Sequence, residues 1–265
     1  MGNDVTRRAF MMDLGKGTLA VAVFGLTAVA CSTDETDPTA STAALTGSTN
    51  PVTTSPATTS PATTSPIVPT AFAWERVSLG SVSAYVLARR GEAVVVDTGN
   101  PGSEDAIKAS LGTLDLGWSD VAHVIVTHLH RDHQGSLPAV MNLAPDATGY
   151  AGAPDIPQIS SPRDLVPVGD GDSVFDLEII ATPGHTPGHI SVFDRAGGLA
   201  IVGDAMNGSN SGVAGANPNF TPDMATANES IKKLAELTFD TIAFGHGDPV
   251  VGNASELVVD FAAGL

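Results

Sequence analysis

The chain has 265 residues, a net charge of −17 and a single cysteine. One thiol cannot form an internal bridge, which argues against a disulfide-stabilised secreted miniprotein. The 29 acidic residues outnumber the 12 basic ones, which argues against a nucleic-acid partner, because phosphate binding depends on lysine and arginine.

The first 30 residues have the features of an export signal. Arg7 and Arg8 are followed closely by Phe10, and residues 19–30 carry no charge. This uncharged run of 12 residues is short, because a membrane-spanning helix needs about 20. We therefore predict that residues 1–30 are a signal peptide, which resembles a twin-arginine signal that ends in a lipobox.

Cys31 stands directly after this segment, behind the small residues Ala28 and Ala30. A free cysteine is more often a buried apolar residue, but its place at the end of an export signal favours lipidation. We predict that Cys31 is the lipid anchor of the mature chain. The protein would then be exported and held at the outer face of the cytoplasmic membrane.

Residues 31–70 form a segment rich in threonine, serine and proline, with TTSPA repeats between Thr53 and Pro66. Its few bulky apolar side chains cannot bury enough surface to offset the entropy of ordering the chain. We predict a disordered tether, which is either an O-glycosylated stalk or a spacer without glycans.

Residues 71–265 suit one folded domain. Apolar and β-branched runs predict strands at 74–79, 81–87, 93–97, 121–127, 174–181, 190–193, 199–202 and 241–244. Helices are predicted at 103–111, 137–143, 222–237 and the C-terminus. This order is unlike a simple βαβ repeat, and it predicts an α+β fold in which two sheets pack face to face with helices outside.

Three of the seven histidines lie in the run HLHRDH, which begins directly after the strand at 121–127. On a tight turn, His128 and His130 can project to one side while Asp132 and His133 reach a neighbouring point. The run therefore supplies ligands for two adjacent metal ions. Imidazole and carboxylate ligands without a thiolate favour Zn²⁺, with iron, manganese, cobalt or nickel as alternatives.

Further ligand types follow three other strands. His185 lies in the turn-rich segment 182–189, Asp204 follows the strand at 199–202, and His246 follows the strand at 241–244. Each of these residues alone would more often be a satisfied polar group than a ligand. Four strand ends that each offer a ligand favour one shared metal site.

The motifs together resemble the metallo-β-lactamase superfamily over nearly all of residues 74–265. The likeness extends through VDTG at 96–99, THLHRDHQG at 127–135, the turn at 183–189, GDA at 203–205 and GHG at 245–247. It implies an αββα sandwich of two mixed β-sheets with helices on the outer faces. The metals of this family lie at one edge of the two sheets.

The resemblance also implies a ligand set and a mechanism. One metal would be held by His128, His130 and His185 and the other by Asp132, His133 and His246, with Asp204 between them and Asp97 orienting a histidine. Hydroxide bound to two zinc ions would attack a carbonyl, with Asp132 as the catalytic residue that fixes the water. We therefore predict a hydrolase for an ester, lactone, thioester or amide bond of a small molecule.

Residues near the motifs receive separate expectations. His189 is expected to orient the site instead of binding metal, and His123 is expected to be structural. Arg131 is expected to point away from the metal-binding residues and to form a salt bridge or face solvent. The loop at 206–219 is either a substrate lid or a plain surface loop, and its lack of charge suggests a neutral substrate.

Departures from the family leave several functions open. No cysteine lies near Asp204, which argues against the β-lactamases that use a thiolate ligand there, and Asn207 stands where the family's quorum-sensing lactonases have a tyrosine. Only 19 residues follow His246, too few for the helical domain of glyoxalase II. The alternatives are a mononuclear iron enzyme similar to persulfide dioxygenases, a β-lactamase, and a non-catalytic metal-binding module.

Overall fold

The computed structural model describes residues 71–210 and 212–265. The predicted signal peptide, the proposed anchor Cys31 and the tether lie outside these residues. The strands are β1 Ala73–Leu79, β2 Val82–Arg89, β3 Glu92–Val96, β4 Val121–Val126, β5 Thr148–Gly152, β6 Val166–Val168, β7 Ser173–Val174, β8 Leu177–Ala181, β9 Ile190–Asp194, β10 Leu199–Ile201, β11 Met206–Ser209, β12 Gly212–Gly215, β13 Thr241–Ala243 and β14 Val250–Val251. The helices are α1 Glu104–Thr113, α2 Arg131–Gln134, α3 Leu137–Leu143, α4 Met224–Leu234 and α5 Ala254–Ala262. Within the described ranges, no helix has the length and apolar character needed to cross a membrane.

The first sheet has the order β1-β2-β3-β4-β5-β6. Strands β1 to β3 are antiparallel, and β3 to β6 are parallel. The turn between β2 and β3 consists of Arg90 and Gly91, whose φ angles are 57° and 81°. Two consecutive residues with positive φ match the right-handed twist of a hairpin, so this turn fixes the register of both strands.

The second sheet has the order β14-β13-β10-β9-β8-β7, in which only β10 and β13 pair in parallel. The single strand predicted at 174–181 is wrong, because β7 and β8 are separate strands of a hairpin. Phe175 and Asp176 form its turn, with φ angles of 52° and 67°. A two-residue turn of this type reverses the chain within what reads as one apolar run.

Three apolar clusters lie between the four layers of the fold, which are two sheets and an outer layer of helices on each side. Val94, Val96 and Ile125 of the first sheet pack between the sheets against side chains of the second, such as Ile179 and Val192. A second cluster joins the outer face of the first sheet to α1 and α3. A third joins the outer face of the second sheet to α4 and α5. The predicted αββα sandwich of two mixed sheets is confirmed.

Parallel pairs of strands bring four chain segments to one edge of the sandwich. In the first sheet, β3 and β4 run in the same direction, and the segments after them contain Asp97 and His128. In the second, β10 and β13 run in the same direction, and Asp204 and His246 follow them. The carboxyl ends of parallel strands meet at one edge, where open α/β sheets commonly bind ligands.

Candidate metal centre

Three histidine nitrogens converge on one point of this edge. His130 Nδ1 lies 3.1 Å from His128 Nε2 and 2.9 Å from His185 Nε2. His128 and His185 are buried, whereas His130 is half-buried. Three nitrogens within 4.8 Å of one another are the donor set of a tetrahedral site with one open position.

A second group of donors lies beside the first and consists of Asp132, His133 and His246. Asp132 Oδ2 lies 3.4 Å from His246 Nε2 and 4.0 Å from His133 Nε2. Asp132 and His133 both belong to α2, a single helical turn that begins directly after His130. One short turn therefore presents two donors of the second group directly after His130 of the first.

Asp204 lies between the two groups and faces a histidine of each. Its Oδ2 is 3.4 Å from His185 Nε2 and 3.3 Å from His246 Nε2, and its Oδ1 is 3.3 Å from His133 Nε2. A Cβ atom at Gly245 would overlap Asp204 Oδ1 and crowd the His133 ring. Only glycine at position 245 therefore lets the chain pass this close to the donors.

Four of the five donor imidazoles are held by the protein through the ring nitrogen that lies away from the donor groups. His133 Nδ1 donates to Asp97 Oδ2 at 2.7 Å, and His246 Nδ1 donates to the Ser81 carbonyl at 2.6 Å. Thr127 Oγ1 lies 3.0 Å from His128 Nδ1, and Thr221 Oγ1 lies 3.0 Å from His185 Nδ1. These contacts fix the ring orientations, and those to Asp97 and Ser81 leave Nε2 without a proton in the neutral ring.

Asp97 is buried and has a φ of 60°, in the left-handed region. Besides His133, it accepts hydrogen bonds from the Thr127 backbone N–H at 2.7 Å and from Thr127 Oγ1 at 2.8 Å. Aspartate tolerates this conformation better than most residues, but the backbone is still strained. The strain lies at the point where a carboxylate must reach both Thr127, which follows β4, and a candidate ligand.

Asp155 is a residue that sequence reasoning missed. Its fully buried carboxylate accepts hydrogen bonds from Leu129 N–H at 3.0 Å, from Thr186 Oγ1 at 2.6 Å and from Gly188 N–H at 2.7 Å. It therefore joins the His128–His133 run to the turn that carries His185. An acidic residue in a loop after β5 carries no sequence signal of this role.

The comparisons with known proteins agree with this geometry. The family model described as the Metallo-beta-lactamase superfamily matches residues 77–246. The chain belongs to the metallo-beta-lactamase superfamily. It is a hydrolase of that superfamily, whose members bind metal ions.

The relatives of this superfamily member include several named hydrolases. A probable metallo-hydrolase of Methanocaldococcus jannaschii is 35% identical over 153 residues, which are 58% of this chain and 70% of that protein. A hydroxyacylglutathione hydrolase of Erwinia tasmaniensis is 32% identical over 157 residues, 57% of this chain but only 55% of that enzyme. The chain thus matches little more than half of the second relative.

Solved superfamily structures share the fold. A metallo-beta-lactamase bound to mercaptoacetic acid is 19% identical, with a TM-score of 0.59 over 74% of this chain and 92% of that chain. A metallo-beta-lactamase family protein of Thermus thermophilus is 21% identical, with a TM-score of 0.57 over 72% and 78%. At these identities the likeness concerns the fold alone.

The superfamily domain contains buried polar atoms that fit a cation. His133 Nε2 and Asp204 Oδ1 are buried and face each other, yet neither has a hydrogen-bond partner among the described residues. An unpaired buried polar atom costs about 1–3 kcal/mol. A cation that accepts electron pairs from both atoms removes this cost, so the residues present fit the metal ions that the family implies.

Electrostatics at the superfamily site favour positive charge around Asp204. Burial alone would lower the pKa of His133, but the carboxylates of Asp97 and Asp204 raise it to about 10. Asp132 and Asp204 raise the pKa of His246 to about 11. Burial would raise the pKa of Asp204, but His133 and His246 hold it well below its usual value. The carboxylates thus stabilise cations at this point.

His189 and His123 have different surroundings. Both ring nitrogens of His189 are used by the protein: Nε2 accepts the Asp204 N–H at 3.1 Å, and Nδ1 donates to Thr182 Oγ1 at 2.8 Å. Burial lowers the pKa of His189 to about 3, so its ring is neutral. His123 lies in β4 near Tyr150, whose hydroxyl is 3.3 Å from His123 Nδ1, and is in none of the donor groups.

A cavity of about 430 Å³ opens over the donors. Its lining includes five candidate ligands, namely His130, Asp132, His185, Asp204 and His246. The other lining residues are Arg131, Asn207, Asn217 and Phe220. Arg131 is exposed to solvent and also lies beside this cavity, a place that the sequence did not predict for it. Asn207 belongs to a β-hairpin of β11 and β12, where the sequence predicted only a loop.

Proposed function

We propose that the protein is a dinuclear zinc hydrolase that cleaves an ester, lactone, thioester or amide bond of a small molecule. His128, His130 and His185 would hold one ion, and Asp132, His133 and His246 the other, with Asp204 shared between them. The observation that carries this proposal is the second donor group, because a mononuclear iron enzyme or a simple binding module needs only the first. The bound ions would supply Lewis-acid chemistry, which activates water and polarises the bond under attack.

The residues around the ions have separate tasks in this proposal. Asp132 is about one-third exposed and lines the cavity, so it can reach both the nucleophile and the solvent. The neighbouring His246 holds the pKa of Asp132 below its usual value. Asp132 therefore stays ionised, accepts a hydrogen bond from the attacking water and orients it. Asp97 and His189 hold His133 and Asp204 in place.

Metal analysis combined with a hydrolysis panel tests this proposal. We expect about two zinc ions per chain and activity on at least one compound among esters, lactones, thioesters and β-lactams. Asp132→Ala should lower kcat by about 10²-fold or more, since it removes both a ligand and an orienting group. Asp105→Ala, which removes an exposed carboxylate of α1, is the matched control and should leave kcat unchanged.

Two results would contradict the proposal. One is a protein with a full complement of zinc that hydrolyses nothing in the panel. The other is one iron per chain with oxygen consumption in the presence of a persulfide, which would favour the dioxygenase-like alternative.

We further propose that the protein is exported as a folded domain and anchored by lipid at Cys31. The support is the sequence alone, with Arg7 and Arg8 before an uncharged run and small residues before the cysteine. Replacing both arginines with lysine should stop export, and Cys31→Ser should abolish labelling by a lipid probe. Export that continues in the lysine variant, or labelling that persists without Cys31, would overturn this proposal.

A further inference from the structure

Arg131 is an exposed cation at the wall of the cavity that opens over the metal donors. No ion pair or hydrogen bond joins its guanidinium to any described residue. By contrast, the guanidinium of Arg76 pairs with Asp248 and that of Arg195 pairs with Glu178. The domain has 24 acidic and 9 basic residues, so a guanidinium without a carboxylate partner at this position is available to a ligand.

The nearby carboxylates of the cavity do not occupy Arg131. Asp132 faces His246 at 3.4 Å, and Asp204 faces His185 and His246 at 3.4 and 3.3 Å. These imidazoles draw both carboxylates towards the donor groups. An anion that enters the cavity can therefore approach the guanidinium without displacing an internal partner.

Phe220 gives the same cavity an apolar wall. Its side chain is 65% exposed although it lines the cavity, and an exposed aromatic ring in a concave site is a contact surface for a ligand. Its neighbour Thr221 contacts His185 Nδ1 at 3.0 Å, and the Phe220 N–H donates to the Asn217 carbonyl at 3.0 Å. These contacts hold the Phe220 backbone at a fixed place beside a candidate ligand.

We propose that the substrate carries a carboxylate or phosphate group that Arg131 binds and an apolar group that packs on Phe220. This inference rests on the proposed function, because it names the substrate class of the same site. A planar guanidinium with several donors binds such anions in a bidentate manner. The positive charge of Arg131 favours an anionic substrate. This proposal therefore differs from the expectation of a neutral substrate, which rested on the uncharged loop at 206–219.

Binding of small probes to the zinc-loaded protein tests the proposal, and chromatography after each titration checks that the probe is intact. Isothermal titration would compare 3-phenylpropionate and 2-phenylethyl phosphate with the neutral 3-phenylpropionamide. We expect at least one anion to bind about tenfold more tightly than the amide, in line with a hydrogen-bonded charge pair. The preference should shrink as salt is added, because the pair lies at an exposed position.

The metal ions also attract anions, so variants are needed to distinguish the contribution of Arg131 to anion binding from that of the ions. Arg131→Ala should reduce the anion preference to about twofold or less, whereas Arg131→Lys should keep part of it. Lys108→Ala is the matched control, because Lys108 is exposed on α1 and does not line the cavity. Phe220→Ala should weaken the binding of the anions and of the amide by a similar factor of about five, since it removes apolar contact from both.

The outcomes that overturn the proposal are equal binding of the three probes, no binding of either anion, or a preference that survives in Arg131→Ala. Hydrolysis of 4-nitrophenyl hexanoate and of the 4-nitrophenyl hemiester of adipic acid separates this failure from that of the proposed function. If both esters are cleaved but Arg131→Ala leaves their ratio of kcat/KM unchanged, the substrate class is wrong and the hydrolase stands. If neither these esters nor the wider panel react while Arg131 still binds anions, the hydrolase is wrong and the anion site stands.

Discussion

Replacing Asp155 by asparagine should weaken zinc binding although Asp155 is not a candidate ligand. Its Oδ2 accepts hydrogen bonds from Leu129 N–H and Thr186 Oγ1, and its Oδ1 accepts one from Gly188 N–H. An asparagine oxygen can replace Oδ2, but its NH₂ group then faces the Gly188 N–H, so two donors meet. A hydrogen bond to a charged group contributes about 1.5–3 kcal/mol, so the free energy of unfolding should fall by about 2–3 kcal/mol.

The same change should loosen the link between the two ligand-bearing segments. Leu129 lies between His128 and His130, and Thr186 follows His185, so a shift at Asp155 moves histidines of the first donor group relative to each other. Loss of an outer contact of this kind costs about 10–100-fold in metal affinity. We expect zinc affinity, measured by competition with a chromophoric chelator, to fall within that range.

Asp194→Asn provides the matched control for a buried carboxylate. Asp194 is buried at the end of β9 and accepts the Phe72 N–H at 3.0 Å, outside the donor groups. Its replacement should lower the free energy of unfolding by about 1–3 kcal/mol and leave zinc affinity unchanged. The reasoning about Asp155 is refuted if both variants bind zinc like the unmodified protein, or if both lose affinity equally.

Three further predictions concern packing, pH and metal removal. Gly152→Ala should lower the free energy of unfolding by about 3 kcal/mol in thermal unfolding, because its Cβ would overlap the Gly188 carbonyl. Gly169→Ala is the control, because the space around Gly169 is open, and it should change the free energy of unfolding by less than about 0.5 kcal/mol. Equal effects of the two changes would contradict this packing. Burial lowers the pKa of His123 below 6.5, so its neutral form contributes stability that is present above pH 6.5 and lost as the pH falls. The drop in Tm from pH 7 to pH 5 should therefore be smaller in His123→Gln than in the unmodified protein. An unchanged drop would be inconsistent with this role. A chelator should lower Tm, since ions at about 100 times their Kd stabilise the folded state by about 2.7 kcal/mol, and a Tm that does not respond would count against a bound ion.

The parts of the site that could be predicted are those with a local sequence pattern. The HLHRDH run follows an apolar strand, and Asp204 and His246 also follow apolar strands, so each could be placed at a strand end. Parallel pairing then dictates that strand ends in one sheet meet at one edge. The structure brings these residues together in the donor groups, with distances that no sequence pattern could supply.

The parts that could not be predicted depend on contacts between distant segments. Asp155 is one acidic residue among many in the chain, and only the packing of its loop against Leu129 and Gly188 gives it a role. The place of Arg131 beside the cavity depends on how α2, a single turn, follows His130. The hairpin of β11 and β12 consists mainly of small and polar residues, which have low strand propensity, so pairing between the strands decides its structure.

The site also explains why a strained aspartate is retained at position 97. Its left-handed backbone costs about 1–3 kcal/mol, and a glycine there would relieve the strain. Glycine would, however, leave the Thr127 N–H and His133 Nδ1 without the acceptor that each now has at 2.7 Å. Because Asp97 accepts a hydrogen bond from Nδ1, the neutral His133 ring presents Nε2 to a cation, and the loss of Asp97 would free the ring to take the other tautomer. The strain at Asp97 is thus balanced by hydrogen bonds that fix the orientation of a candidate metal ligand.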